Sequence, residues 1–178
     1  MTNGTLYLWK HDPQGGLVPR WVGRIITLVT RMPYTHVAIY LRGQIYDKTV
    51  WREGPRWRSG LRTALTHSEL VEAGVEVWEP RFTLSGSQSY AMQRFVEFKY
   101  GTRPYNVFKL VALVVIYPLR RLFARLQWVP FSNEIFGEVC STMPDEAFLF
   151  AEVDILPNDH HGYTAPGDFV RSGQFERV

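Results

Sequence analysis

The chain has 178 residues, 46% hydrophobic and 15% aromatic, which is enough for one domain with a buried core and argues against a disordered chain. Its one cysteine, Cys140, excludes an intrachain disulfide. The net charge of +3 is small, and the basic residues are mostly arginine, which suits planar anionic groups such as phosphate or carboxylate.

The first third of the chain predicts a strand, a helix and a hairpin. Residues 5–9 have strand character and are followed by the turn-forming sequence DPQGG. Apolar residues then recur at helical spacing between 19 and 33. Two β-rich runs, 35–41 and 45–51, flank the Arg-Gly pair at 42–43. This arrangement predicts a β-hairpin with a two-residue loop.

The next segment predicts a loop, a strand and a helix. Residues 51–62 are rich in Arg, Gly and Trp, which favours a loop. Residues 74–80 predict a short strand that ends at a proline. Ser85 or Ser87 can cap a helix that ends before Gly101.

An apolar and arginine-rich stretch then precedes the cysteine. Residues 107–117 are apolar on all sides, which predicts a buried helix, and 119–126 predict an amphipathic basic helix. Packing of this second helix on the core is favoured over contact with a membrane surface. The longest apolar run, 110–119, is about half of the roughly 20 residues that a membrane-spanning helix needs. A further helix is predicted over 140–152, and a loop over 156–169.

The predicted hairpin places a histidine near a carboxylate. Side chains alternate between the two faces of a strand. If the loop consists of residues 42–43, Leu41 faces Gln44, and Asp47 lies diagonally beside His36 on the same face. A three-residue loop would turn Asp47 away. A carboxylate that orients an imidazole favours the imidazolium formed when histidine acts as a general base.

Cys140 is the only thiol that can complete such an arrangement. It precedes residues that suit the start of a helix, and a cysteine there gains a lowered pKa from the helix dipole and from a nearby imidazolium. Backbone N–H groups at that terminus, including the one at Ser141, can hold a developing oxyanion. Composition alone leaves open a buried packing thiol and a structural histidine.

The order of the motifs GTLYLW, YTHVAIYL, IYDKT, YGTRPYN, VCSTMPDEAF and TAPGDF resembles a known family. It is similar to the circularly permuted branch of the NlpC-type papain-like hydrolases, the YiiX-like proteins related to lecithin–retinol acyltransferase. The resemblance spans residues 4–170. It implies an α+β fold in which an antiparallel sheet packs against helices, and a single domain over 1–178. Residues 107–135 are longer than a compact member needs, which indicates a helical insertion.

The resemblance also implies roles for individual residues. His36 corresponds to the general base and Cys140 to the nucleophile. Asp47 stands where the third member, often glutamate, is found, and Glu76 is a rival for this position. Tyr105, in YGTRPYN, corresponds to an oxyanion or substrate contact.

These roles lead to the expectation of a cysteine amidase or peptidase that forms an acyl-enzyme and needs no cofactor. The family implies bacterial cell-wall peptide as the first substrate and acyl lipids as the second. The N-terminus shows no signal peptide, so we expect a protein made in the cytoplasm that reaches peptidoglycan by phage lysis, in a virion or by another non-Sec route. A hydrolytically inactive component of a virion-like assembly is the alternative.

Other motifs predict less specific roles. His160 and His161 lack the spacing of metal ligands, so loop histidines are favoured over a metal site. The Trp/Arg segment 51–62 can bind nucleic acid, a glycan or lipid headgroups, but a solvated loop is favoured, so we do not expect a nucleic-acid partner. The sequence contains no phosphate-binding loop or dinucleotide motif, which argues against nucleotide chemistry.

Overall fold

The computed structural model describes residues 1–10, 20–53, 56–102, 105, 139–156 and 164–178. The helices predicted over 107–117 and 119–126, most of the suggested insertion, and the histidine pair at 160–161 lie outside this part of the chain. Within the described ranges, no helix has both the length and the apolar character needed to cross a lipid bilayer.

The described residues form an α+β fold with a six-stranded antiparallel sheet. The strands are β1 (Leu6–Lys10), β2 (Tyr34–Leu41), β3 (Gln44–Glu53), β4 (Arg56–Arg62), β5 (Glu76–Pro80) and β6 (Phe175–Arg177). The helices are α1 (Arg20–Thr30), α2 (His67–Glu72), α3 (Gly86–Gly101), α4 (Thr142–Phe150) and α5 (Pro166–Arg171). The spatial order of the strands is β4-β3-β2-β1-β5-β6. β2 therefore lies near the middle, between β1 and β3.

The β2–β3 hairpin has the predicted two-residue loop. Arg42 and Gly43 have φ angles of 48° and 92°, so both lie in the left-handed region that tight hairpin turns use. Leu41 pairs with Gln44, as this loop length requires. The register that brings Asp47 to the face of His36 is thus confirmed.

The prediction of a loop over residues 51–62 is wrong. β3 continues to Glu53, and β4 begins at Arg56. The two strands pair from Glu53 opposite Arg56 to Asp47 opposite Arg62. β4 lies at the edge of the sheet. Charged residues are common on edge strands because they discourage pairing with other chains, so an arginine-rich segment can read as a loop and still be a strand.

The C-terminal prediction is also corrected in part. Residues 164–165 have no regular structure, but α5 begins at Pro166, within the segment predicted as a loop, and continues beyond it to Arg171. The helix predicted over 140–152 is present as α4, which begins at Thr142 and ends at Phe150. The short α5 and β6 are missed because elements of six and three residues carry too little periodicity to be recognised.

The main core lies between one face of the sheet and the helices α3 and α4. Its buried residues include Leu8, Val37, Met92, Val96 and Phe148. Ser85 is the N-cap of α3 and forms a capping box with Gln88, which decides between the two serines considered above. Gly101 is the last residue of α3 rather than the first beyond it.

A smaller core covers the opposite face. Tyr7, Ala38 and Ile45 pack there with Leu70 of α2. Ala38 is directly paired with Asp47 across the β2–β3 ladder, so the face that bears Asp47 is shielded from water.

Candidate active site

The histidine strand contains an irregularity next to His36. Trp9 of β1 pairs with His36, but the following residue, Lys10, pairs with Tyr34, so Thr35 is an extra residue on β2. An irregularity of this kind bends the strand and redirects neighbouring side chains. The Trp9 indole packs edge-on against the His36 ring, with 4.9 Å between centroids. The imidazole is therefore held on one side by an aromatic ring.

Asp47 holds the His36 ring from the next strand. Its Oδ1 lies 2.5 Å from His36 Nε2, and the two residues are 0% and 2% exposed. Asp47 Oδ2 has no hydrogen-bond partner within the described part of the chain, so this buried carboxylate depends on its contact with the imidazole. Because His36 Nε2 is hydrogen-bonded to Asp47, His36 Nδ1 is the ring nitrogen that can face Cys140.

Cys140 lies two residues before α4 and is 2% exposed. The turn around it is closed by Thr142, whose hydroxyl donates to the Val139 carbonyl at 3.0 Å. The His36 side chain and the Val37 backbone N–H lie close enough to the thiol to lower its pKa. The structure thus brings together the cysteine, histidine and aspartate that the sequence predicts as a group.

The charges of this group favour a thiolate–imidazolium pair. Burial by itself raises the pKa of Cys140, but the His36 charge, its hydrogen bond and the Val37 N–H together lower this pKa. Burial by itself lowers the pKa of His36, but the thiolate and Asp47 raise this pKa to about 10. The two opposite shifts favour a proton on His36 and a thiolate at Cys140.

Tyr105 is also placed beside the thiol. Its hydroxyl points at Cys140 Sγ over 4.0 Å, and its backbone N–H donates to Ser59 Oγ at 2.7 Å. Burial, followed by the negative charge of Cys140, raises the pKa of Tyr105 well above its usual value. Tyr105 consequently stays protonated and can act as a hydrogen-bond donor next to the sulfur atom.

Ser141 has its hydroxyl engaged elsewhere. The hydroxyl donates to the backbone carbonyl of Thr164, and Ser141 is buried. Its side chain forms no capping hydrogen bond with α4. Any oxyanion contact from Ser141 must therefore come from its backbone N–H, as the sequence prediction of a helix-terminus site supposes.

Glu76, the rival third member, lies on the other face of the sheet. It pairs with Leu8, which in turn pairs with Val37, and residues directly opposite in antiparallel strands share a face. Val37 is adjacent to His36 in the strand, so its side chain points to the other face. The structure thus places Asp47, and not Glu76, against His36.

The carboxylate of Glu76 instead joins three strands. It accepts a hydrogen bond from the Tyr34 hydroxyl at 2.7 Å and forms ion pairs with Lys10 at 2.5 Å and Arg177 at 2.9 Å. Burial by itself raises the pKa of Glu76, but the contacts with Lys10, Tyr34 and the Trp78 indole N–H together lower it. The role supported by these contacts is structural.

Sequence reasoning missed the neighbours that hold the group. Trp9 could have been found if the β1–β2 register had been assigned, because paired residues share a face. Val37 contributes a backbone N–H, for which no side-chain pattern exists. Thr164 reaches the cysteine turn from a segment distant in sequence, and only tertiary structure reveals this contact.

The described residues contain no group of three His, Cys, Asp or Glu side chains arranged to hold a metal ion. His67, one of the described histidines, is hydrogen-bonded through Nδ1 to the Tyr7 hydroxyl at 3.0 Å. A scan against protein-family models finds no matching family, and a search of curated proteins finds no significant relative.

Proposed function

We propose that the chain is a cysteine hydrolase in which Cys140 is the nucleophile, His36 the acid and base, and Asp47 the residue that orients His36. The observation that carries this proposal is the contact of a buried, lowered-pKa thiol with an imidazole that is itself bonded to a buried carboxylate at 2.5 Å. A thiol that serves only packing gains nothing from such a charge arrangement.

The first half of the reaction forms an acyl-enzyme. The Cys140 thiolate attacks the carbonyl carbon of an amide or ester, and the carbonyl electrons move to oxygen. The Tyr105 hydroxyl, 4.0 Å from the sulfur atom, and backbone N–H groups at the start of α4 then stabilise this oxyanion. As the carbonyl re-forms, the bond to the leaving amine or alcohol breaks, and His36 donates its proton to that group.

The second half releases the acid. His36, now neutral, takes a proton from water, and the resulting hydroxide attacks the thioester carbon. Collapse of this second oxyanion expels the Cys140 thiolate, which regenerates the ion pair with protonated His36. Throughout, Asp47 keeps Nε2 engaged, so Nδ1 remains the nitrogen that exchanges protons.

The order of elements supports a permuted papain-like arrangement. The strand with the base, β2, precedes the helix that follows the nucleophile, α4, and both belong to an α+β fold with an antiparallel sheet. On this basis we propose amides of bacterial cell-wall peptides as the first substrate class and acyl lipids as the second. A phage-associated route to peptidoglycan belongs to the same proposal.

Alkylation of the thiol tests the catalytic group before any substrate is known. We expect iodoacetamide to modify Cys140 rapidly at pH 6 to about 7, below the usual thiol pKa of about 8.5, and His36→Ala to abolish the enhancement. His67→Ala is the matched control because His67 contacts Tyr7 and not the thiol. The thiolate's ultraviolet absorbance gives a second reading that does not require reagent access.

An ordinary thiol in the unmodified protein by both measurements would reject the enzyme proposal and favour the non-enzymatic assembly component. If the thiol is reactive, peptidoglycan fragments and phospholipid vesicles separate the two substrate classes. Cys140→Ser is the inactive control in both assays, since a serine hydroxyl does not ionise beside His36 at neutral pH.

A further inference from the structure

Thr164 contacts the cysteine turn at two points. Its backbone carbonyl accepts a hydrogen bond from the Ser141 hydroxyl, and its own hydroxyl donates to Asp145 Oδ2 at 2.6 Å. All three residues are buried, with Thr164 and Asp145 fully shielded. Buried hydrogen bonds of this kind restrict geometry strongly, because a displaced donor or acceptor finds no water to replace its partner.

The residues after Thr164 connect the same segment to the end of α1. The Ala165 backbone N–H donates to Asp168 Oδ2 at 2.9 Å. Arg171 donates to Asp168 Oδ1 at 3.4 Å and to the backbone carbonyl of Thr30, the last residue of α1. A continuous set of polar contacts thus leads from the cysteine turn to the chain just before β2.

Close packing reinforces this connection. A Cβ atom at Gly167 would lie 2.6 Å from the Met32 side chain, so the backbone of α5 rests directly on the segment that leads into β2. Residues Thr164–Arg171 therefore touch both the turn that carries Cys140 and the chain that leads to His36.

We propose that Thr164 is a positioning residue that fixes the distance between the Cys140 thiol and the His36 imidazole. The inference rests on the proposed function, because it assigns Thr164 a task only if that ion pair is the reactive group. The attraction between the two charges falls with their separation, so a displaced cysteine turn weakens the stabilisation of the thiolate. Thr164 acts through Cys140 and needs no contact with the substrate.

The test is the pH dependence of iodoacetamide modification in Thr164→Val, which keeps the shape but removes the hydroxyl donor. We expect the alkylation midpoint to move up by about one pH unit, so that the rate below the midpoint falls about tenfold. Thr164→Ser retains a hydroxyl and should restore the midpoint of the unmodified protein.

Thr5→Val is the matched control. Thr5 is also fully buried, and its hydroxyl donates to the Thr2 carbonyl at 2.7 Å, away from the cysteine turn. We expect this variant to melt at a lower temperature and to keep the alkylation midpoint. If Thr164→Val does the same, its role is structural only and the inference is overturned.

Ser141→Ala provides a second route if Thr164→Val does not fold. This variant removes the hydrogen bond from the Ser141 hydroxyl to the Thr164 carbonyl and changes the side chain less. An unchanged alkylation midpoint in Ser141→Ala also overturns the inference. An ordinary thiol in the unmodified protein signals failure of the proposed function instead. A reactive thiol that is insensitive to Thr164→Val signals failure of the positioning role alone.

Discussion

Asp47 Oδ1 lies 2.5 Å from His36 Nε2 because Ala38, two positions beyond His36 on β2, is the residue paired with Asp47. This register follows from the two-residue turn at Arg42 and Gly43. The orientation of the imidazole is therefore set by a hairpin turn that lies at the far end of the strand pair.

Asp47→Asn should move the alkaline limit of activity to lower pH. The Asp47 charge helps to raise the pKa of His36 to about 10, so its removal lowers that pKa by about one to three units. The pH profile of hydrolysis, followed from neutral to alkaline pH, measures this limit, because the leaving group takes its proton from His36. An alkaline limit that stays in place in Asp47→Asn contradicts the role assigned to the carboxylate.

Tyr105→Phe should separate turnover from thiol reactivity. The variant removes a hydroxyl 4.0 Å from Cys140 Sγ, and loss of one oxyanion donor lowers kcat by about a hundredfold. The alkylation rate should change less than about twofold, because His36 and Val37 supply the contacts that lower the pKa of Cys140. Equal losses in both assays would mean that Tyr105 stabilises the thiolate–imidazolium pair rather than the oxyanion.

The ion pair also predicts how stability depends on pH. The raised pKa of His36 contributes its full stabilisation below a pH of about 6.5. This stabilisation is lost as the pH rises to about 10. The lowered pKa of Cys140 contributes its full stabilisation above a pH of about 8.5. This stabilisation is lost as the pH falls through the lowered pKa. For the proposed thiolate–imidazolium pair, folded and unfolded chains each bind about one proton between pH values of about 6.5 and 8.5, so its combined contribution to stability is flat there.

Urea unfolding across this pH range provides the measurement. We compare the free energy of unfolding of the unmodified protein with that of the Cys140→Ala, His36→Gln double variant. Their difference, plotted against pH, should show a plateau near neutral pH and decline on both sides. A difference that rises or falls steadily across neutral pH would mean that the pair does not exist as thiolate and imidazolium.

Glu76→Gln should affect stability and leave the thiol unchanged. Loss of the carboxylate charge weakens its ion pairs with Lys10 and Arg177, which we expect to cost about 1 to 2 kcal/mol. The cost stays below that of a fully buried pair because both cations are largely exposed and screened. Chemical denaturation measures the loss, and a shifted alkylation midpoint would restore Glu76 as a rival to Asp47.

The hairpin and the cysteine turn could be predicted from sequence because their signals are local. An Arg-Gly pair between two β-rich runs specifies a two-residue loop, and strand alternation then places Asp47 beside His36. The start of α4 is predictable in the same way, from residues that suit a first helical turn.

Elements whose stability comes from distant contacts could not be predicted. The arginines and glycine of β4 lack strand character and so predict a loop, yet the segment forms a strand by pairing with β3. The choice between Asp47 and Glu76 likewise depended on the register of β1 with both β2 and β5, which neither residue's own neighbourhood reveals.

The separation of β2 and the cysteine turn along the chain has a kinetic consequence. Closing so long a loop is entropically costly, so contacts between these segments form only when most of the chain has collapsed into its final arrangement. Until then Cys140 titrates as an ordinary thiol, since neither His36 nor Val37 is beside it. During refolding, rapid modification of this sulfur would therefore mark the moment of complete assembly, whereas secondary structure can form well before it.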